Sequence, residues 1–459
     1  MIGRVSRGAW LAYAAIAGIV AALALAKWGQ ALALAGPVLY GEGAVAHAAI
    51  LTRTLATYSD AAGSAFTAAN YPPLYYLLAS VGDPFVTGRV LSVVATLAIA
   101  GLVAWRARSG GPLVAAALGL GWLALSPVAI WGPAVKPDPV ALALTVGAVL
   151  ALESRRAGLA AVLLVLAMAT KPTALVPAIA LLGWIAWRDR AQLRGFVIAG
   201  AVALVAAAIS LVPFGYGDLW RHVVTWNELP WTAESALLLA IIGVVVLAAL
   251  LGAALVSRGF AGPIAAYAVA ALAIVALGGR EGATINYLLD LAAAGSLALA
   301  AAAPVLGRAP FYPIVAIANL VLAALLLDPL GLVPGRTATT GAWGDPARLA
   351  SARAELASDD LVLAEDSGVL LATGHRVVVD DLFLWSRLAA RGAIDPSALL
   401  ADVEAARFTA VASEVELAQL GSAPAYERSR WDPSLVRAID ARYRLVSRAP
   451  GGLFIYRPR

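Results

Sequence analysis

Tyr40-Gly-Glu-Gly-Ala-Val-Ala-His47 and, further on, Ala69-Asn-Tyr-Pro-Pro-Leu-Tyr-Tyr76 bracket the stretch on which the reading of this chain turns. An apolar run over 9–26 precedes it and another, over 75–105, follows it. Glu42 opens a helix-like segment directly after the first run. Asn70-Tyr71-Pro72-Pro73 stands at the entrance to the second, where proline suits the first turn of a helix. A polar loop over 27–74 between two runs, each of about the 20 residues a membrane crossing needs, makes the rest of the chain legible as spans built around it.

Composition supports that reading. Of the 459 residues, 61% are hydrophobic and 13% are charged, and mean hydropathy is +0.84. Soluble domains carry about 25% charged residues. There is no cysteine, which excludes disulfides, thiol chemistry and thiolate metal sites. The net charge of +5 falls mainly on arginines in short loops between apolar runs, a topological signal, so no nucleic-acid partner is expected. Lysine occurs only at Lys27, Lys136 and Lys171, and histidine only at His47, His222 and His375.

Apolar segments fall near 9–26, 75–105, 112–131, 138–152, 157–170, 172–187, 195–212, 236–256, 262–278, 285–303 and 311–327. The fold class expected is a polytopic α-helical membrane protein with about 11 transmembrane helices. Arg4 and Arg7 before the first run give it the look of a signal peptide, but at about 18 residues it exceeds the usual apolar region of one, so it reads as an uncleaved first span. Arg4/Arg7, Arg106/Arg108, Arg155/Arg156, Arg188/Arg190/Arg194, Arg258 and Arg308 then alternate onto one face, which the positive-inside rule assigns to the cytoplasm. The expected location is a bacterial cytoplasmic (inner) membrane, with the N-terminus inside and the C-terminal part outside.

Two domains are expected: 1–327, the transmembrane part with its first outer loop over 27–74, and 328–459, a small extracytoplasmic α/β domain. In the tail, β-rich runs at Leu361-Val-Leu-Ala, Val377-Val-Val, Phe408-Thr-Ala-Val-Ala, Tyr443-Arg-Leu-Val and Leu453-Phe-Ile-Tyr alternate with helical stretches at 346–358, 397–406 and 433–441. Glu365-Asp366 and Asp380-Asp381 read as solvated turn acids. The tail has no glycine-rich phosphate fingerprint.

The outer loops collect acids, cations and aromatics: Glu42, His47, Asn70 and Tyr71 in the first, then Arg89, Lys136 and Asp138, then Lys171. A later loop holds His222 among tryptophans, and Asn286-Tyr287 close the set. The segment from Arg156 to Lys171 gives roughly 22 Å of helix against a hydrocarbon core of about 30 Å. Lys171 therefore stops at membrane depth, where a lysine lines a wet cavity or meets an anion. Such a set suits transfer from a lipid-phosphate donor. A carboxylate can take the acceptor proton, cations can hold the phosphate, and aromatics can pack on sugar faces or sit at the membrane interface.

The order Gly41-Glu42-Gly43, Asn70-Tyr-Pro-Pro-Leu-Tyr-Tyr76, Gly88-Arg89, Lys136-Pro-Asp138, Thr170-Lys171 and Asn286-Tyr287 resembles the integral-membrane glycosyltransferases of the GT-C superfamily. The likeness is to the bacterial group of protein mannosyltransferases and aminoarabinose transferases, and covers about residues 1 to 330. It implies a polyprenyl-phosphate sugar donor alongside membrane lipids, an extracytoplasmic site, inversion and an acceptor the sequence does not identify. It also implies an essential acid in the first outer loop, matched by Glu42 as general base although the family usually has Asp. Lys136, Lys171 and Arg89 become candidates for the donor phosphate. Asn70, Tyr71, Asp138, His222, Asn286 and Tyr287 become candidates for orienting substrate. Many members carry a second acid beside the first, where this chain has Gly43. No metal ligands are therefore assigned, and a divalent metal is left open. Two other readings compete: a non-catalytic structural subunit of a membrane assembly, and a lipid or solute transporter.

Overall fold

The computed structural model describes residues 4–59, 63–330, 346–449 and 453–459, and the chain forms two compact units. Among the described residues, one unit takes 4–30, 90–210 and 230–330, and the other takes 31–89, 211–229 and 346 onward. The sequence divides the chain at 327/328, whereas compactness joins the first loop to the tail. Phe66 and Ala68 pack in the same apolar core as Val379, Trp385 and Leu399. The Phe66 amide donates to the Val378 carbonyl at 2.7 Å, and the Asp380 amide donates to the Phe66 carbonyl at 3.2 Å.

The first unit is helical. Among the described residues, three helices are long and apolar enough to cross a membrane: Val5–Leu32, Pro84–Gly110 and Arg190–Phe214. Ala233–Val246 and Ala248–Val256, bent by 73°, make a fourth if they are one broken span. Shorter apolar helices include Pro112–Ala124, Ala157–Thr170, Gly262–Leu277 and Phe311–Leu327. Each expected span contains helix, but among the described residues length and composition alone identify three or four crossings, so the count of eleven is not established. Several expected spans break for identifiable reasons. In 75–105, Pro73–Ala79 ends before Pro84–Arg106 begins, because Asp83 Oδ1 accepts the amides of Phe85 and Val86 at 2.9 and 3.1 Å and Pro84 starts a new first turn. In 112–131, Leu125 is extended ahead of Ser126–Trp131, which carries Pro127 in its first turn.

Val197, Ile198, Val202, Leu204, Val205 and Ile209 lie exposed on Arg190–Leu211. An apolar face of that extent fits a lipid environment rather than water. Leu289–Ala301, by contrast, is buried from Leu291 through Ala300, with alanines and Gly295 allowing neighbouring helices to approach closely. This central helix positions Asn286, Tyr287 and Asp290 at its start.

The second unit carries a four-stranded sheet in the order β1-β2-β4-β3. Its strands are β1 (Val362–Ala364), β2 (Ala410–Ser413), β3 (Tyr443–Ala449) and β4 (Leu453–Pro458). β1 and β2 are parallel, with Val362 opposite Ala410, and β4 runs antiparallel to both its neighbours. A parallel pair needs a crossover, and helices Ser367–Thr373, Leu382–Ala390 and Ser397–Glu404 lie within it. Val377-Val-Val, expected as a strand, stays outside the sheet, and Val379 instead forms an isolated parallel bridge with Phe66.

Candidate functional site

Gly41 adopts the left-handed conformation (φ 76°) and turns the chain into helix Glu42–Thr52. That turn folds the Glu42 carboxylate back over its own approach, where Oε2 accepts the Val38 amide at 2.6 Å. The same oxygen meets Arg89 Nη2 at 2.8 Å. Both side chains are fully buried. Arg89 Nη1 also donates to the carbonyls of Ala31 (2.8 Å) and Leu34 (2.6 Å), and Nη2 to that of Gly36. Carbonyls at and beyond a helix C-terminus lack intrahelical partners, and a buried guanidinium with several donors satisfies them together. Arg89, a candidate for the donor phosphate, here ties the carbonyls of 31–36 to the Glu42 carboxylate.

The tail acids expected in solvent are also buried, apart from half-buried Asp381. Asp366 Oδ1 caps helix Ser367–Thr373 by accepting the Gly368 amide at 2.8 Å, and Asp381 caps Leu382–Ala390 by accepting the Leu384 amide at 3.0 Å. Asp380 takes the Ala68 amide at 2.7 Å and pairs with His47 at 3.1 Å. Glu365 meets Arg430 at 2.9 Å and Trp431 at 3.0 Å. Acid pairs just before short helices are capping signals, and burial follows because these helices sit within the core of the unit.

Burial first, and then the negative Glu414, pushes Asp366 up to about 8. Its carboxyl ordinarily titrates near about 4, so the folded chain holds that proton more tightly than the unfolded one. The resulting stabilisation is complete below about pH 4 and is lost as pH rises through about 8. Asp366→Asn keeps the capping oxygen without the charge. It is expected to raise the melting temperature at pH 9, by a stabilisation on the order of a few kcal/mol, and to change little at pH 4. Equal shifts at the two pH values in a thermal-unfolding measurement would contradict this account.

In the helical unit, Lys171 sits at the end of helix Ala157–Thr170, which Pro172 terminates. Its Nζ donates to Asp138 Oδ1 at 2.7 Å, and Asn286 Nδ2 donates to the same oxygen at 2.7 Å. Asp138 Oδ2 is buried and has no hydrogen-bond partner among the described residues. The Lys171 ammonium also lies 5.2 Å from the Tyr287 ring centre, within cation–π range. Tyr267 donates to Asp290 at 2.8 Å. A cavity of about 10 Å³ touches Asp138, Lys171, Asn286 and Asp290, room for about one water. The structure therefore brings together Asp138, Lys171, Asn286 and Tyr287, four of the residues singled out from the sequence. Lys136 is half-buried, and its carbonyl accepts from Ser92 at 3.3 Å; Asp138 is bridged by Lys171.

The remaining candidates lie in the second unit. The Asn70 carbonyl accepts from Asn227 at 3.3 Å, and the Asn70 side-chain oxygen is buried without a hydrogen-bond partner among the described residues. Tyr71 is held through its backbone, accepting from the Tyr58 hydroxyl at 2.6 Å. His222 is buried, with its ring 4.2 Å from that of Trp226. Burial pushes it down to about 3, aided by Arg221, so it is neutral at physiological pH. Among the described residues no group of three His, Asp or Glu side chains could hold a metal ion.

The fold is similar to that of two solved structures of ArnT from Cupriavidus metallidurans. The apo form aligns with a TM-score of 0.57 and 12% identity, covering 95% of this chain and 97% of that one. The form bound to undecaprenyl phosphate aligns over the same shares at 12% identity, with a TM-score of 0.59. The two alignments show a shared fold, as the resemblance read from the sequence leads one to expect. No family model and no curated protein matches the sequence.

Proposed function

We propose that this chain is an integral-membrane glycosyltransferase that moves a sugar from a polyprenyl-phosphate carrier to an acceptor hydroxyl. The observation that carries the reading is a fold shared over 95% of the chain with a protein solved in complex with undecaprenyl phosphate. In this reading the acceptor oxygen attacks the anomeric carbon with inversion and its proton passes to Glu42. The bond from that carbon to the phosphate oxygen breaks, and polyprenyl phosphate leaves. Lys171 and Lys136 hold the phosphate, and Asn70, Tyr71, Asn286 and Tyr287 orient the substrate. Asp138 keeps Lys171 in place until a phosphate takes over as its partner. The chemistry proceeds on the outer face of a bacterial inner membrane, with the N-terminus inside.

Lys171→Met tests the phosphate role. Hydrogen bonds to charged groups contribute about 1.5–3 kcal/mol, so affinity for polyprenyl phosphate in nanodiscs is expected to fall roughly 10- to 150-fold. The change also strands the buried Asp138 carboxylate, which is destabilising. Lys171→Met/Asp138→Asn should recover stability without recovering binding. Undiminished binding in the double variant would remove Lys171 from the site.

A structural-subunit reading is favoured by one observation, the complete burial of Glu42 against Arg89. A base must reach the proton it takes. The two readings part on whether wild-type protein turns over any polyprenyl-phosphate sugar.

A further inference from the structure

We propose that a cavity within the second unit, walled by Trp226, Trp385 and His222, is a binding subsite for the ring of an uncharged sugar. The cavity measures about 170 Å³. At roughly 30 Å³ for each water in the liquid, it has room for about six, a space of the order of one sugar ring. Its lining combines two tryptophans with the hydroxyls of Ser64 and Thr67 and the carboxylate of Asp395. Apolar aromatic walls with a few placed polar groups are the usual make-up of a small-molecule site.

His222 is the second and independent observation. It is 1% exposed, and neither ring nitrogen has a hydrogen-bond partner among the described residues. Leaving a buried polar atom unpaired costs about 1–3 kcal/mol. A neutral imidazole offers one donor and one acceptor. A sugar hydroxyl both donates and accepts, so it matches either nitrogen. The segment that carries the ring is held in place. Its backbone carbonyl accepts from Asn227 at 3.0 Å, and Trp226 beside it stacks on Phe66 at 5.3 Å. At the rim, the Asp395 carboxylate is fixed by the Ser397 amide and hydroxyl, both at 2.9 Å. Among the described residues lining the cavity there is no lysine or arginine, so this lining suits an uncharged polyol over a phosphate or another anion.

This inference does not depend on the transfer reading. Full-length protein in nanodiscs would be titrated with a panel of methyl pyranosides, following ligand signals by saturation-transfer NMR, with undecaprenyl phosphate binding measured on the same samples. Wild type is expected to bind at least one pyranoside saturably. Ala398→Trp, which fills the cavity from a half-buried wall position, and His222→Phe, which keeps a ring but removes both nitrogens, should each weaken that binding at least 10-fold. If His222→Phe fails to fold, Ala398→Trp alone decides. Absence of saturable binding by wild type, or binding that Ala398→Trp leaves unchanged, would overturn the proposal. Pyranoside binding without any donor binding would instead count against the transferase and leave this site standing.

Discussion

Glu42→Gln is expected to lower donor turnover by roughly 10²–10⁴-fold, the usual contribution of a positioned general base. The substitution has a structural consequence that must be separated from the chemical one. Glutamine keeps an oxygen for the Val38 amide but leaves the buried Arg89 guanidinium without its counter-charge. Breaking a buried pair from one side costs about 3–5 kcal/mol, so the single variant should also be less stable. Glu42→Gln/Arg89→Gln removes both charges, and its remaining amide can still donate to the Ala31, Leu34 or Gly36 carbonyls. The double variant should therefore regain part of the lost stability, and coupling between residues in contact is what such a cycle measures. If Glu42 is the base, turnover stays lost when stability returns. Turnover that returns with stability would make the pair purely structural. Donor binding retained throughout would place the loss in the chemical step.

Much of the helical unit was legible because hydropathy is a property of local composition. Each of the eleven apolar segments does hold helix, and Pro172 marks the end of the Lys171 helix as such a proline should. The Asp83-Pro84 break was also written in the sequence, as a helix cap followed by proline, but the surrounding apolar run masked it. What pattern reading could not supply is pairing across distance. Asp138 bonds to Lys171 and Asn286, which stand 33 and 148 positions away in sequence; the short span marks Lys171 as needing an anion or water without saying which anion. Arg89 read as an outer-loop cation and a candidate for the donor phosphate. Its burial is visible only once the carbonyls of 31–36 are seen to need a donor. The tail acids show the same limit. Glu365-Asp366 and Asp380-Asp381 carry capping chemistry that a sequence can suggest, but charge in a turn was read as exposure. The helices they cap, Ser367–Thr373 and Leu382–Ala390, are short and were missed for that reason.

Gly43→Asp, which would install the second acid found in many of the resembling enzymes, is expected to prevent the protein from accumulating in folded form. A Cβ at Gly43 would overlap the amide nitrogen and Cα of Gly368 and the hydroxyl of Ser367. The obstruction is largely backbone at the start of helix Ser367–Thr373, fixed there by the Asp366 cap. A flexible side chain could turn aside, whereas a capped helix start must move as a body. Overpacking ordinarily costs about 1–3 kcal/mol and occasionally more, and a backbone obstacle puts Gly43→Ala at the upper end of that range or beyond. Aspartate adds a buried, unpaired carboxylate, a further penalty of several kcal/mol. Thermal unfolding of Gly43→Ala in detergent tests the steric part without the charge, and wild-type stability in that variant would defeat the argument. The expected loss has a functional corollary. Glycine stands after Glu42 because the first loop packs backbone to backbone against the tail, so the missing acid reflects that packing and is not by itself evidence of lost catalysis.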